Sequence, residues 1–183
     1  EHSIVLVAQG AKQMWVGGDA YPYGTTRFLI TSLNLPANSE VLEASPEAPC
    51  LGLCFRFDLR LLAELVAQGG LPLRRDKPVE TGVGLGEATH AILEPFARLV
   101  DLLDEPQAIP VLAPLVQREI HYRLLTSDQA ARLRQLASVD SQGHRIAKAI
   151  DWLKLNYAAP LRIDELAARV QMSTPTFHHH FRQ

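Results

Sequence analysis

Residues 163–183, IDELAARVQMSTPTFHHHFRQ, read as two short helices joined by a tight turn. Ile163, Leu166, Ala167 and Val170 recur at helical spacing. Asp164 and Glu165 fall in the first turn, where the positive end of the helix dipole favours carboxylates. Met172 sets an apolar side chain in the turn. Ser173 is a good N-cap, Pro175 suits a first turn that has no intrahelical donors, and Thr176 can bond back toward the cap, so a second helix is expected from about residue 174. On it Phe177 and Phe181 should close against Leu166 and Val170, with Ala167 leaving room for a steep crossing. His178, His179 and Arg182 are left facing outward.

Any small helical hairpin could share that core, but the free polar face favours a surface that meets a DNA duplex. In a major groove, Thr174, Pro175, His178 and His179 would face base edges, with Ser173, Thr176 and Arg182 nearer to phosphate. The run His178, His179, His180 is not expected to hold a metal, because adjacent helical residues point about 100° apart and ligands must converge.

Charge follows the same division. Residues 142–183 hold six Lys or Arg against three acids, a balance of +3, whereas the whole chain carries −2 and residues 1–141 therefore −5. Phosphate attraction supplies much of any DNA affinity, and the basic part is the part with the paired helices.

The segment from His144 onward, HRIAKAIDWLKLNYAAPLRIDELAARVQMSTPTFHHHFRQ, resembles the first helix-turn-helix of the AraC family of bacterial transcription regulators. The resemblance rests on Ile146, Ala149, Ile150, Leu153 and Tyr157 along one face of a preceding helix, the Pro160–Leu161 break, the Leu166–Ala167 pair, the Met172–Ser173 turn and Phe181–Arg182. Arg162 departs from the usual Ser or Thr cap, so only the Glu165 half of a capping box is present, and His180 stands where an aliphatic is common. Two earlier stretches, 3–58 and 93–125, resemble the N-terminal region of one AraC subfamily. The resemblance implies a cupin-like sensing barrel, helices that pair two subunits, promoter DNA and a small-molecule effector as ligands, and RNA polymerase among the candidate partners. It also implies two helix-turn-helix units, of which this sequence holds part of the first, so weak specific DNA binding is expected of these residues alone.

The residues agree with that outline. Short apolar runs at 4–8, 13–16, 28–35, 41–43 and 51–57 are separated by Gly, Pro and Asn, as in an antiparallel barrel or sandwich. In the last run Leu51, Leu53, Phe55 and Phe57 share one face, and Cys50, Gly52, Cys54 and Arg56 the other. A helix is expected from Leu59 to Gln68, closed by Gly69–Gly70, and a loop from Leu73 to Gly86. Helical stripes follow, Ile92, Phe96, Leu99, Val100 and Leu103, then Leu112, Leu115, Val116, Ile120 and Leu124. Pro95 predicts a kink or a helix start, Pro110 and Pro114 a start, and Glu119–Arg123 an i, i+4 pair. An amphipathic piece from Asp128 to Ala137 leads to a linker near 138–143.

The expected fold is α+β: a small antiparallel cupin-like β-barrel over 1–58, a helical dimerisation layer over 59–137 and an incomplete helix-turn-helix over 138–183. The stripes exceed what a small barrel can cover, so a homodimer is as reasonable as an intrachain layer. Effector candidates are Trp15, Tyr23 and Arg56, chosen as aromatic or cationic groups on strands or turns. An enzyme is not expected: no phosphate loop, nucleophile elbow or His–acid pair at metal spacing occurs, and of seven histidines only His2 lies in the strand-rich part. No cofactor is indicated. Cys50 and Cys54, about 13 Å apart along an extended strand, are too distant for a disulfide and read as buried or cavity-lining thiols. No signal peptide or membrane-long apolar run is seen, so a cytoplasmic protein without membrane contact is expected. The function expected is a sequence-specific transcription regulator answering an effector. The rival is a small-molecule-binding cupin whose C-terminal helices form a protein-interaction module.

Overall fold

The computed structural model describes residues 2–32, 37–71, 82–137, 142–157 and 162–181. Among the described residues, seven strands form two antiparallel sheets. The strands are β1 (Ser3–Gln9), β2 (Ala11–Val16), β3 (Asp19–Gly24), β4 (Arg27–Thr31), β5 (Asn38–Glu43), β6 (Leu51–Arg56) and β7 (Val83–Glu87). One sheet has the order β6-β1-β4-β7, the other β3-β2-β5. The first strand runs into the second through Gly10, at φ +83°, where a Cβ would collide with the Glu43 carbonyl. Gly17 and Gly18, both at positive φ, make the two-residue turn that joins β2 to β3.

Alternation gives each strand of the larger sheet two destinations. Ile4, Leu6, Phe28 and Ile30 pack into a cluster with the helices, while Val7, Leu29 and Val83 pack with Tyr23, Met14, Val16 and Tyr21 of the smaller sheet. The larger sheet is therefore covered by helices on one face and by the smaller sheet on the other.

The helical layer comprises α1 (Leu59–Gln68), α2 (His90–Asp101), a short 3-10 turn (Leu102–Asp104), α3 (Ile109–Leu125) and α4 (Ala130–Ala137). Asp58 caps α1 by accepting from the Arg60 and Leu61 amides, and Gly69 closes it at φ +74°. Leu62, Leu65, Ile92, Phe96, Ile120, Leu124 and Leu133 join the sheet residues in one cluster that continues across residue 58. His121 is buried in it: its Nε2 accepts from the Asp58 amide at 3.0 Å, and its Nδ1 lies 2.6 Å from the Gln117 carbonyl, which fixes the neutral Nδ1–H tautomer. Phe55 and Phe57 approach the imidazole edge-on. Arg98 ties α2 to α3 through Glu119, which also pairs with Arg123 at 3.3 Å, and Arg118 reaches Glu64 of α1 at 3.0 Å.

Three further helices, α5 (Gln142–Leu155), α6 (Ile163–Arg169) and α7 (Thr174–Phe181), gather around a second cluster of Ile146, Ala149, Ile150, Leu166, Ala167, Val170, Met172 and Phe177.

Several expectations change. The expected loop ending at Gly86 instead contains β7, because Gly84 and Gly86 act as the small members of a period-2 pattern. Phe28 occupies the place of a Gly86 side chain, and Arg132 and Gln129 that of Gly84. The strand β3, which contains Pro22, was not anticipated; Pro is tolerated because β3 is an edge strand. The fourth strand ends at Thr31 rather than at 35, and 33–36 lie outside the described residues, as do 72–81 and the linker at 138–141. Helix α2 starts at His90, so Pro95 sits inside it and is buried. Pro110 lies at the start of α3 as expected, whereas Pro114 is interior. Leu112 and Leu115 face solvent, so only Val116, Ile120 and Leu124 of that stripe enter the core. Tyr157 falls beyond the end of α5 and is 86% exposed rather than on its apolar face. No described helix is long and apolar enough to cross a membrane.

Candidate functional site

The turn between α6 and α7 is built from backbone geometry. The Met172 amide donates to the Ala167 carbonyl at 2.9 Å and the Gln171 amide to the Ala168 carbonyl at 3.0 Å, with Gln171 left-handed at φ +56°. That pair of bonds is a Schellman closure with glutamine where glycine is usual. Arg145 of α5 donates to the Gln171 carbonyl at 3.0 Å and holds the turn from the third helix. The first residues of α7 are capped as the sequence leads one to expect: the Ser173 hydroxyl accepts from the Thr176 amide at 3.3 Å and lies 2.7 Å from the Thr176 hydroxyl. Arg162 precedes α6 without a side-chain cap and pairs instead with Asp164 at 3.0 Å, holding that carboxyl below its usual range.

Of the two phenylalanines expected to close α7 onto α6, Phe177 is buried and Phe181 is 42% exposed, stacked on the Phe177 ring at 5.1 Å. One turn of α7 lies under the crossing; the next passes its edge. Ala167 at the crossing is 1% exposed, as the close approach requires. Ser173, Pro175, His178 and His179 are exposed, and Thr174 and Thr176 half-buried. These six residues form one continuous surface at the start of α7 and along its outer side. Arg182 and the His180 side chain lie outside the described residues.

The effector candidates are dispersed. Trp15 faces outward from the smaller sheet, 41% exposed, with Nε1 at 3.4 Å from Glu40. Tyr23 points into the inter-sheet space and is 4% exposed. Burial pushes its phenol up; a hydrogen bond with Ser39 acts the other way, and the neighbouring Cys50 and Cys54 add to the rise. Arg56 is exposed on the same face of β6 as Cys54. Cys50 is half-buried and Cys54, on an edge strand, exposed, so of the two alternatives expected for these thiols, buried or cavity-lining, burial does not hold for Cys54. A serine between Asn38 and Glu40 carries no pattern signal in the sequence, and the place of Ser39 near Tyr23 appears only through the register that sets β5 against β2.

The fold is similar to that of a solved structure. Wild-type ToxT from Vibrio cholerae strain SCE256, determined with bound unsaturated fatty acid, matches with a TM-score of 0.56 at 6% identity over 100% of this chain and 65% of that one. The AraC-like transcriptional activator CuxR matches at a TM-score of 0.43 and 14% identity over 99% of this chain and 60% of that one. The chain thus spans about three fifths of the length of these proteins. No match was found among curated proteins. At 6% identity the ToxT likeness shows a shared fold and no more. A family model described as the AraC-type transcriptional regulator N-terminus matches residues 1–132. The chain belongs to this family, and the match covers the sheets and most of the helical layer.

Proposed function

We propose that the chain is the sensing part and the beginning of the DNA-binding part of a sequence-specific transcription regulator that responds to a small molecule. In this reading 1–58 form a cupin-like barrel, 59–137 the helices that pair two subunits, and 138–183 the first helix-turn-helix. The observation that carries the DNA reading is the outer side of α7: His178 and His179 are exposed while Phe177 beneath them is buried. The surplus of cations after residue 141 supports it. The protein acts in the cytoplasm on promoter DNA, with RNA polymerase a further partner, and as a regulator rather than an enzyme.

Pairing of subunits is supported by Val100, Leu103, Val111, Leu112 and Leu115, all exposed on the end of α2, the 3-10 turn and the start of α3. Effector sensing is supported by the family and by ToxT, whose structure holds a fatty acid. A ligand acts only if it prefers one arrangement of the DNA-binding units over another.

The experiment replaces His178 and His179 with alanine in the full-length protein and measures promoter affinity by fluorescence anisotropy. Two lost contacts should weaken specific binding by about tenfold or more while the melting temperature is unchanged. Unchanged affinity would favour a protein-interaction role for these helices.

A further inference from the structure

The direction of α7 rests on few points. Helices α5 and α6 share a core of Ile146, Ala149, Ile150, Leu166, Ala167 and Val170, all buried, and make a frame. Among the described side chains of α7 itself only Phe177 is buried; Thr174 and Thr176 are half-buried and the others exposed. One seated ring fixes where an eight-residue helix lies but not which way it points. A second point is needed, and the peptide between Gln171 and Met172 supplies it. Its N–H donates to the Ala167 carbonyl of α6 at 2.9 Å, and its carbonyl accepts from Arg145 Nη1 of α5 at 3.0 Å. Both polar atoms of this unit at the entry to α7 are therefore held, each by a different helix. Met172 is buried beside it, but a thioether chain adapts to its slot and sets no direction. The backbone at Arg145 is itself fixed, because the next residue, Ile146, is seated in the core of the frame.

We propose that Arg145 is a positioning residue for sequence-specific DNA recognition: its guanidinium sets the tilt of α7 against the α5–α6 frame. The proposal rests on the DNA-binding reading and names a residue on which its selectivity depends. A tilt of about 10° moves the far end of a helix this long by roughly 2 Å, enough to break a hydrogen bond to a base edge. Attraction of cations to phosphate depends on charge rather than on such alignment, and carries no sequence information directly. Removal of the Arg145 guanidinium therefore takes away selectivity and leaves general affinity in place. A cation that met phosphate itself would behave in the opposite way, weakening every duplex equally and lowering the salt dependence.

The test uses the full-length protein, the duplex it selects from a random pool, and a scrambled duplex of the same length, with affinity read by fluorescence anisotropy across a salt series. Arg145→Ala should bind the selected duplex about tenfold more weakly, bind the scrambled duplex as before and keep the salt slope of the wild type. Arg145→Met, which keeps the apolar stem without the donor, takes its place should the alanine variant lose the fold of α5–α7. Arg145→Lys keeps a donor for the Gln171 carbonyl and should recover most of the loss. Unchanged affinity for the selected duplex, equal weakening on both duplexes with a salt slope smaller by about one, or no recovery with lysine would overturn the proposal. A wild type that selects no duplex would remove the DNA reading and the proposal with it. Selective binding by the wild type that is indifferent to the variants at Arg145 would remove the proposal alone.

Discussion

Gln171 holds the turn that aims α7, and it does so in a conformation that costs a non-glycine residue about 1 kcal/mol. Gln171→Gly should therefore raise stability by roughly 0.5–1 kcal/mol in thermal unfolding, less the added flexibility of the unfolded chain; a fall of that size would show that the glutamine side chain stabilises the turn. Ser173→Ala should lower stability by about 1 kcal/mol, since the Thr176 amide loses its acceptor. His121 acts through its proton. Desolvation lowers its pKa from the usual 6.5, against the hydrogen bond to Gln117 and the nearby Asp58 carboxylate, which raise it. The unfolded chain binds the proton more readily, so this contribution to stability is complete above about pH 6.5 and is lost as pH falls through the folded value. Denaturation at pH 8 to 5 should show an acid decline that is shallower in His121→Phe, with that variant weaker at pH 8 for want of an acceptor for Asp58; equal acid slopes would contradict it. The Ser173 cap was legible because it is a local bond between near neighbours. The exposure of Phe181 was not, because a helical period says which side a residue takes and nothing of where the covering helix stops.

Helices declared themselves better than strands. The segment 59–68 is bounded by an Asp cap and a Gly stop that act within one turn. The seventh strand reads as loop in one dimension because its two glycines look like punctuation; only its neighbours show that they clear room for Phe28 and Arg132. Gly86→Ala should accordingly destabilise the protein by about 1–3 kcal/mol through overpacking against the Phe28 ring, measurable by urea unfolding. The stripe on α3 is legible as apolar, and as more than a small barrel can cover, but not which of its residues face the core. The structure splits it, with Val116, Ile120 and Leu124 inward and Leu112 and Leu115 outward. If the outer half pairs subunits, Leu112→Lys together with Leu115→Lys should convert a dimer to a monomer in sedimentation without lowering the melting temperature of the monomer. A protein already monomeric at high micromolar concentration would remove the pairing.

At the scale of the molecule, one apolar cluster joins the larger sheet to α1–α4, a second fills the space between the two sheets and a third serves α5–α7. The outline of strands followed by helices could be read from period and punctuation, and the C-terminal surface from a short local pattern. The division of the strands into two sheets could not, since it depends on register between strands tens of residues apart. The central claim is that the outer side of α7 meets DNA. Carbethoxylation of histidines by diethyl pyrocarbonate in the full-length protein, read residue by residue by mass spectrometry, tests it most directly. Saturating promoter DNA should protect His178 and His179 and leave exposed His90 on α2 reacting at its former rate. Equal modification of His178 and His179 with and without promoter would contradict the account.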